Sequence, residues 1–518
     1  SQKGVDVFRI FDSLNWVENM KMPIETALKT GKIVEGTICY TGDITDPNET
    51  KYTLDYYVKK AKELESLGVH IFTIKDMAGL VKPYAAKKLI SALKEELNIP
   101  VNLHTHDSTG NGVSTLLMAS EAGLDIADCA IGSMSSMTSN PCMNSLVEAL
   151  KGTERDTGLN PDELTELSQY YARIRPIYKQ FESGMDAPNT EIYKYEIPGG
   201  QYSNLLAQVK EMGAAEDFEE IKGLYKDANQ LLGNIVKVTP SSKVVGDFAI
   251  FMFKNGLTKE NILEVGKDLS YPDSVVEYFE GMIGQPEGGF PEELQKIVLK
   301  DKKPIDVRPG SLLPDEDFDY IAKGLKENFY TENMEDPDIL SQKTLSYALY
   351  PKVYEDYCRH FEAYNDVTGL ESHVYFYGLR KGEETTLKLD EGKYLIIKFI
   401  DMTEPDEDGY RLLDFEVNGS IREIKVLDKN LEVKTDRRVK ADKSNPAHLG
   451  STIPGTVGKV LVNEGDEVTV NMPLMTVEAM KMETTVVSTV NGKVDKIYVK
   501  EGEQVNQEDL LISFEIDE

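Results

Sequence analysis

Basic residues are scarce. Lysine and arginine number 57 against 89 aspartates and glutamates, a formal net charge of −32 over 518 residues. That balance excludes general binding to nucleic acid or to anionic membranes, whose phosphates attract the opposite sign. An anionic substrate must then be held by local positive charge or by a metal. Cysteine is rare as well: Cys39, Cys129, Cys142 and Cys358 are scattered without a Cys-x-x-Cys pair. This usage fits a reducing compartment and packing roles, and nominates no thiol nucleophile. No apolar run reaches the roughly 18 residues that a membrane-spanning helix needs. The N-terminus lacks a basic-then-apolar signal pattern and starts in mid-fold. What remains is globular composition, 40% hydrophobic and 28% charged, at a length that predicts about three domains.

From residue 4 to about 133, strand-like segments alternate with amphipathic helical stretches such as Thr53 to Leu67 and Tyr84 to Leu97. The strands read Val5–Phe11, Glu35–Tyr40, Val69–Ile74, Pro100–His104 and Leu124–Asp128. The alternation specifies parallel βα units, and each strand ends in polar residues, where parallel α/β folds place their chemistry. Five units are too few for a closed (β/α)8 barrel. The pattern therefore predicts either an open sheet, a flavodoxin-like one included, or a barrel whose first strands lie upstream.

Residues 144 to 360 read mainly as helices. Residues 370 to 430 read as a small antiparallel module with strands at Val374–Tyr377, Lys393–Phe399 and Ile424–Val426, and residues 437 to about 450 as a polar linker. The last segment is an internal repeat with an offset of about 37 residues: Gly455 matches Gly492, Gly465 matches Gly502, Leu474 matches Leu511 and Glu478 matches Glu515. Two alternating antiparallel halves predict a small flattened β-barrel, with Lys481 exposed near the turn that joins them.

Two clusters carry chemistry. His104 and His106 stand at i and i+2, which on a strand puts both imidazoles on one face, as two ligands of one divalent ion require. By spacing alone such a pair is more often a structural one. Lys75, at the end of the preceding strand, faces the same mouth. A protonated lysine is a poor metal ligand, whereas a carbamylated one presents oxygens. A lone lysine like Lys481 reads as a surface residue, but Glu478-Ala479-Met480-Lys481-Met482 at the centre of a symmetric repeat does not.

That stretch resembles the biotinyl carrier domains of biotin-dependent carboxylases, and the resemblance implies biotin amide-linked to Lys481. Five further motifs, Phe8-Arg9-Ile10-Phe11-Asp12-Ser13-Leu14-Asn15, Gly36 to Gly42, Lys75-Asp76-Met77-Ala78-Gly79, His104-Thr105-His106-Asp107 and Lys237 to Asp247, resemble the carboxyltransferase domain of pyruvate carboxylase. Pro198-Gly199-Gly200-Gln201-Tyr202 matches it too, and the resemblance covers nearly the whole chain. It implies a multidomain α/β chain: a partial (β/α)8 TIM barrel with helical extension at 1–362, a tetramerisation or allosteric domain at 363–436, a linker at 437–447 and the biotinyl domain at 448–518. Lys75 becomes the carbamylated ligand, and His104 and His106 the imidazole ligands, of Mn2+ or Zn2+. The metal polarises the carbonyl of pyruvate, Thr239 shuttles a proton, and Ser242 and Lys243 line the biotin pocket with Arg9 facing the same site. The residue pattern alone reads Thr239 to Ser242 as the cap of a helix starting near Lys243.

The resemblance further implies carboxyl transfer to pyruvate giving oxaloacetate, biotin protein ligase as a partner, a homotetramer and a cytoplasmic setting. ATP and bicarbonate enter only through a biotin carboxylase domain that this chain lacks. The family's first barrel strand, with its metal-binding aspartate and a substrate-binding arginine, is missing too. The expectation is a C-terminal portion of a longer polypeptide, crippled in catalysis when alone. Two other readings stand beside this one: the α subunit of an oxaloacetate decarboxylase or transcarboxylase, and a non-catalytic biotin carrier and scaffold.

Overall fold

The computed structural model describes residues 1–518 apart from 2, 183, 184, 186, 330–332, 407, 429–438, 443, 444, 480, 481, 517 and 518. The chain divides into two compact units, Ser1–Leu313 with Val439–Glu518, and Pro314–Arg438.

In the first unit, β1 (Val7–Ile10), β2 (Ile33–Cys39), β3 (Ile71–Asp76), β4 (Val101–Thr105) and β5 (Ile126–Ala127) form one parallel sheet in the order β1-β2-β3-β4-β5. The crossovers hold α1 (Val17–Leu28), α2 (Leu54–Ser66), α3 (Pro83–Glu96) and α4 (Gly112–Glu121). When spatial order equals chain order and every parallel crossover has one hand, the helices all fall on one side of the sheet. That is the winding of a (β/α) barrel. It excludes a flavodoxin-like sheet, whose strand order reverses at a switch point. No closed barrel forms among the described residues.

Alternation along each strand separates two faces. Val34, Ile38, Phe72, Ile74, Val101 and Leu103 are buried in one core cluster with Ala61, Leu64, Ala86, Leu89, Ile90 and Leu93 of the helices. Each Val, Leu, Ile or Phe among them contributes about 1.5–3 kcal/mol on burial. Helix α2 starts where the Thr53 side chain accepts from Tyr56 N, and α3 starts with Pro83 at its first position. The opposite strand face carries Arg9, Glu35, Thr37, Thr73, Lys75, Asn102 and His104, and so is polar.

Helices follow from Met143 on, as expected. Among them Gly199–Glu211, Phe218–Leu231, Ser241–Lys254 and Asp273–Glu280 surround a second core that includes Leu205, Tyr225, Phe248 and Tyr278. The helix expected near Lys243 begins at Ser241, and Pro240 at its cap position supplies no side-chain cap. The Ser241 hydroxyl instead turns back to Val238 O at 2.6 Å.

The second unit contains helices Phe318–Asn328, Pro337–Leu349 and Pro351–Tyr364, followed by an antiparallel meander of β6 (Glu384–Asp390), β7 (Lys393–Met402), β8 (Tyr410–Val417) and β9 (Ser420–Leu427). One expected strand is wrong. Val374 to Tyr377 belongs to the helix Ser372–Tyr377, closed by Gly378 at φ 69°, whose N–H donates to Val374 O. A four-residue aromatic run has no period long enough to distinguish the two states, and the glycine stop decides for a helical turn.

The last segment bears out the repeat. The strands are β10 (His448–Gly450), β11 (Gly455–Val460), β12 (Glu467–Val468), β13 (Pro473–Ala479), β14 (Met482–Val487), β15 (Gly492–Ile497), β16 (Gln504–Val505) and β17 (Leu510–Ile516). They form two four-stranded sheets, β14-β13-β11-β16 and β10-β17-β15-β12. Each strand of one sheet has its repeat partner at the same place in the other, which makes the pair two-fold symmetric. Val457, Leu474, Val477, Val494, Leu511 and Phe514 lie in the core between them. A Cβ on Gly455 would lie 2.6 Å from Glu478 O, and one on Gly492 would press on Glu515 O in the same way. The matched glycines thus mark the same close backbone approach in both halves. Residues 439–442, inside the segment read as linker, are bonded to this domain: Leu510 N donates to Val439 O at 2.9 Å, Ala441 N to Glu508 O at 2.8 Å, and Lys440 Nζ pairs with Asp509 at 2.8 Å.

Candidate active site

The polar residues converge at the C-terminal end of the sheet. Lys75 on β3 is the register partner of His104 on β4. The turn after β3 is fixed by Asp76, fully buried, which accepts from Leu80 N at 2.8 Å, Val81 N at 2.9 Å and the Thr105 hydroxyl at 2.8 Å. Burial, with Arg9 adding repulsion, lowers the Lys75 ammonium below the ordinary amine range, and its Nζ sits 3.8 Å from the Phe11 ring centroid. A lysine so placed is more easily stripped of its proton, the state that carbamylation requires.

The rings of His104 and His106 stand 5.4 Å apart. His106 Nδ1 lies 2.6 Å from Thr138 O, and His104 Nδ1 lies 2.7 Å from Asp128 Oδ2. Carbonyl and carboxylate oxygens only accept, so each Nδ1 carries the hydrogen, and in the neutral ring it is Nε2 that offers a lone pair. Burial also lowers the His106 pKa, despite the Thr138 carbonyl, and favours the neutral ring. Two imidazoles hydrogen-bonded through Nδ1, beside a lysine whose proton is held less firmly than usual, are a donor set that fits a divalent metal.

Arg9 is more occupied than its position on β1 foretold. Its Nε donates to Glu35 Oε2 at 2.7 Å, Nη2 to Glu35 Oε1 at 3.0 Å and Nη1 to Asp128 Oδ2 at 2.7 Å. Glu35, 3% exposed, also accepts from the Thr73 hydroxyl and from Asn102 Nδ2. Burial works to raise the Glu35 carboxyl, but these donors outweigh it and hold it low. Asp128 is likewise held at about 2, where donation from His104 and Arg9 overrides burial.

Thr239, Ser242 and Lys243 lie together at the start of the helix Ser241–Lys254, and Ser242 is buried. Their loop is fastened over the ends of β1 and β2. Ser241 Oγ reaches Ser13 O at 3.3 Å, while buried Lys237 donates to Thr41 Oγ1 at 3.1 Å and Glu196 Oε2 at 2.7 Å. Thr239 is thereby placed at the same end of the sheet as Lys75, His104 and His106. Lys481 lies outside the described residues; the strands on either side, β13 and β14, pair with Ala479 opposite Met482.

Glu35, Asp128 and Glu196 escaped the sequence reading, and Lys237 entered it only as the first residue of a motif. Glu35 between Val34 and Gly36 carried the clearest signal, since a charge in an otherwise apolar strand needs a partner. The cysteines are free thiols, Cys39 and Cys358 buried, and among the described residues no helix is long and apolar enough to cross a membrane.

Three family models match in succession: HMGL-like over residues 19–170, a conserved carboxylase domain over 192–398 and a biotin-requiring enzyme domain over 446–514. The chain is 49% identical over 515 residues to pyruvate carboxylase of Bacillus subtilis, which takes in 99% of this chain and 44% of that protein. The Staphylococcus aureus protein of the same name is 46% identical over 516 residues, with 99% and 44% covered. The chain thus spans less than half the length of these curated relatives. The solved carboxyl transferase domain of Rhizobium etli pyruvate carboxylase superposes with a TM-score of 0.77 at 43% identity, covering 83% of this chain and 71% of that one. Another structure of that domain contains pyruvate and biocytin, at a TM-score of 0.76. Matched over nearly its whole length by these relatives and in fold by the solved carboxyl transferase domain, the chain belongs to the pyruvate carboxylase family.

Proposed function

We propose that this chain carries a carboxyl group on biotin attached to Lys481 and transfers it to pyruvate, giving oxaloacetate. The observation that carries this reading is the imidazole pair at the end of β4, with both Nδ1 atoms engaged, beside Lys75. Lys75 as its carbamate, His104 and His106 would hold Mn2+ or Zn2+, which when bound polarises a carbonyl oxygen. Thr239 passes the methyl proton of pyruvate onward, because a hydroxyl donates and accepts without becoming charged. Ser242 and Lys243 receive the biotin ring at the same mouth. Arg9 lends positive charge, chiefly by bracing its carboxylate neighbours. On this reading the transferase occupies 1–362, the tetramerisation or allosteric domain 363–436 and the carrier 448–518, whereas the compact units divide between Leu313 and Pro314. A biotin protein ligase loads the arm, a biotin carboxylase domain using ATP and bicarbonate charges it, the assembly is a homotetramer, and four free thiols suit the cytoplasm.

An avidin blot of wild type and Lys481→Ala tests the arm, and retained signal in the variant refutes it. Oxaloacetate decarboxylation, and pyruvate carboxylation with added biotin carboxylase, test the site; Thr239→Ala is expected to abolish both. A carrier-only reading draws on one observation: no group of three histidine, cysteine, aspartate or glutamate side chains is poised for a metal among the described residues. A biotinylated chain that is inactive in both assays would favour it.

A further inference from the structure

Asp128 has no assigned role, yet one of its oxygens serves two donors. Oδ2 accepts from Arg9 Nη1 at 2.7 Å and from His104 Nδ1 at 2.7 Å, while Oδ1 lies 3.4 Å from Asn102 Nδ2. Arg9 Nη1 and His104 Nδ1 are themselves 3.4 Å apart. Both are N–H donors here, so that approach is no hydrogen bond between them; the shared carboxylate oxygen draws them together.

We propose that Asp128 is a positioning residue for His104: its carboxylate, braced by Arg9 and Glu35, holds the imidazole as the Nδ1–H tautomer and keeps the Nε2 lone pair free for a divalent metal. The comparison with His106 supports the need for a brace. His106 reaches the same tautomer through the backbone carbonyl of Thr138, which the chain itself fixes. A side-chain carboxylate can rotate away, and here it is pinned by a guanidinium that is itself forked onto Glu35, a group 3% exposed. Glu35 is locked in turn by Thr73 on β3 and Asn102 on β4. Four strands thus contribute to the orientation of one ring. Arg9 has Nε, Nη1 and Nη2 committed to these carboxylates, which makes it part of the brace.

The inference rests on His104 being a metal ligand, and the experiment separates the two ideas. Histidines labelled with 15N, six in the chain, report ring tautomers by NMR at about pH 8, where imidazole is neutral. In the metal-free wild type, His104 is expected as Nδ1–H. In Asp128→Ala it should lose that preference while His106 keeps its own. Competition with a chelator should show Mn2+ or Zn2+ binding weakened by about 10- to 100-fold in Asp128→Ala, the range typical of outer-shell partners. Glu35→Gln and Arg9→Lys should move both readouts in the same direction, and less far. Asp128→Leu, which has no accepting oxygen and fills more of the space, serves with the same expected outcome if the alanine variant does not fold. An Nε2–H tautomer in the wild type overturns the proposal, as does a His104 tautomer indifferent to every substitution. A tautomer that responds in a chain binding no metal would uphold the positioning and refute the metal assignment.

Discussion

Asp247 is predicted to be a destabilising residue at neutral pH, and replacing it should make the chain more stable as pH rises. It is 3% exposed on the helix Ser241–Lys254, and accepts from the Ser274 hydroxyl at 2.6 Å. Burial pushes its carboxyl up to about 6, although the Ser274 donor and the Lys243 charge both work to lower it. A folded pKa above the unfolded value means that folding favours the protonated form. Its stability is fully present below the unfolded pKa of about 3.9 and is lost as pH rises through about 6. A shift of about two units corresponds to about 3 kcal/mol at high pH, of which about 1.4 kcal/mol disappears between pH 5 and pH 8.

Asp247→Asn removes the titration and retains an oxygen for Ser274. Its amide hydrogens face a buried site, which adds a constant cost of about 1–3 kcal/mol. The diagnostic is therefore the pH slope of the difference, not its value at one pH. The only tryptophan, Trp16, provides the readout. Its ring lies 3.4 Å from where a Cβ on Gly284 would sit, just beyond the helix that supplies Ser274. Urea unfolding followed by Trp16 fluorescence should show Asp247→Asn gaining about 1.4 kcal/mol on the wild type from pH 5 to pH 8. A difference that stays flat over that range would refute the reasoning.

Three further outcomes are expected. Lys237→Met leaves Glu196 beside a buried apolar chain and should cost about 3 kcal/mol by the same assay. The Glu196 carboxyl is held low by Lys237 and Thr41 against burial, so that loss applies above about pH 4.3, Glu196's ordinary value, and shrinks as pH falls through its lowered one. Gly79→Ala places a Cβ 2.6 Å from His106 O at φ +69°; it should displace the His106 segment, weaken binding at the proposed metal site and cost about 1–2 kcal/mol for the left-handed backbone alone. Thiol labelling of the folded chain should reach Cys142 first, its thiol pulled down by donors that outweigh its burial. Cys39, raised to about 12 by burial, should label only on unfolding, and mass spectrometry of the labelled peptides checks the order.

The parts of the fold that were legible in the sequence are those set by local periodicity. Alternation marked β1 to β5 within a residue or two, helical stripes marked α2 and α3, and the glycines at 455 and 492 located a close approach that the backbone repeats. The Val374–Tyr377 run failed because four aromatic and β-branched residues carry no period, and only the stop at Gly378 distinguished helix from strand. The site divides in the same way. His104 and His106 were legible since i and i+2 share a strand face. Alternation says which residues share a face, however, and is silent on what that face meets. Glu35 looks like the solvent side of a half-buried strand; its partners Arg9, Thr73 and Asn102 lie 26, 38 and 67 residues away. Asp128 and Arg9 are 119 residues apart. An isolated charge on such a face would be costly to bury, so the winding of the sheet has to deliver the partners before any of these side chains acquires a role. Charged residues in strand positions that would otherwise be apolar are therefore where sequence reasoning about this chain should look for long-range pairs first, and Glu35 is the position where that search would have led to Arg9, Asp128 and finally His104.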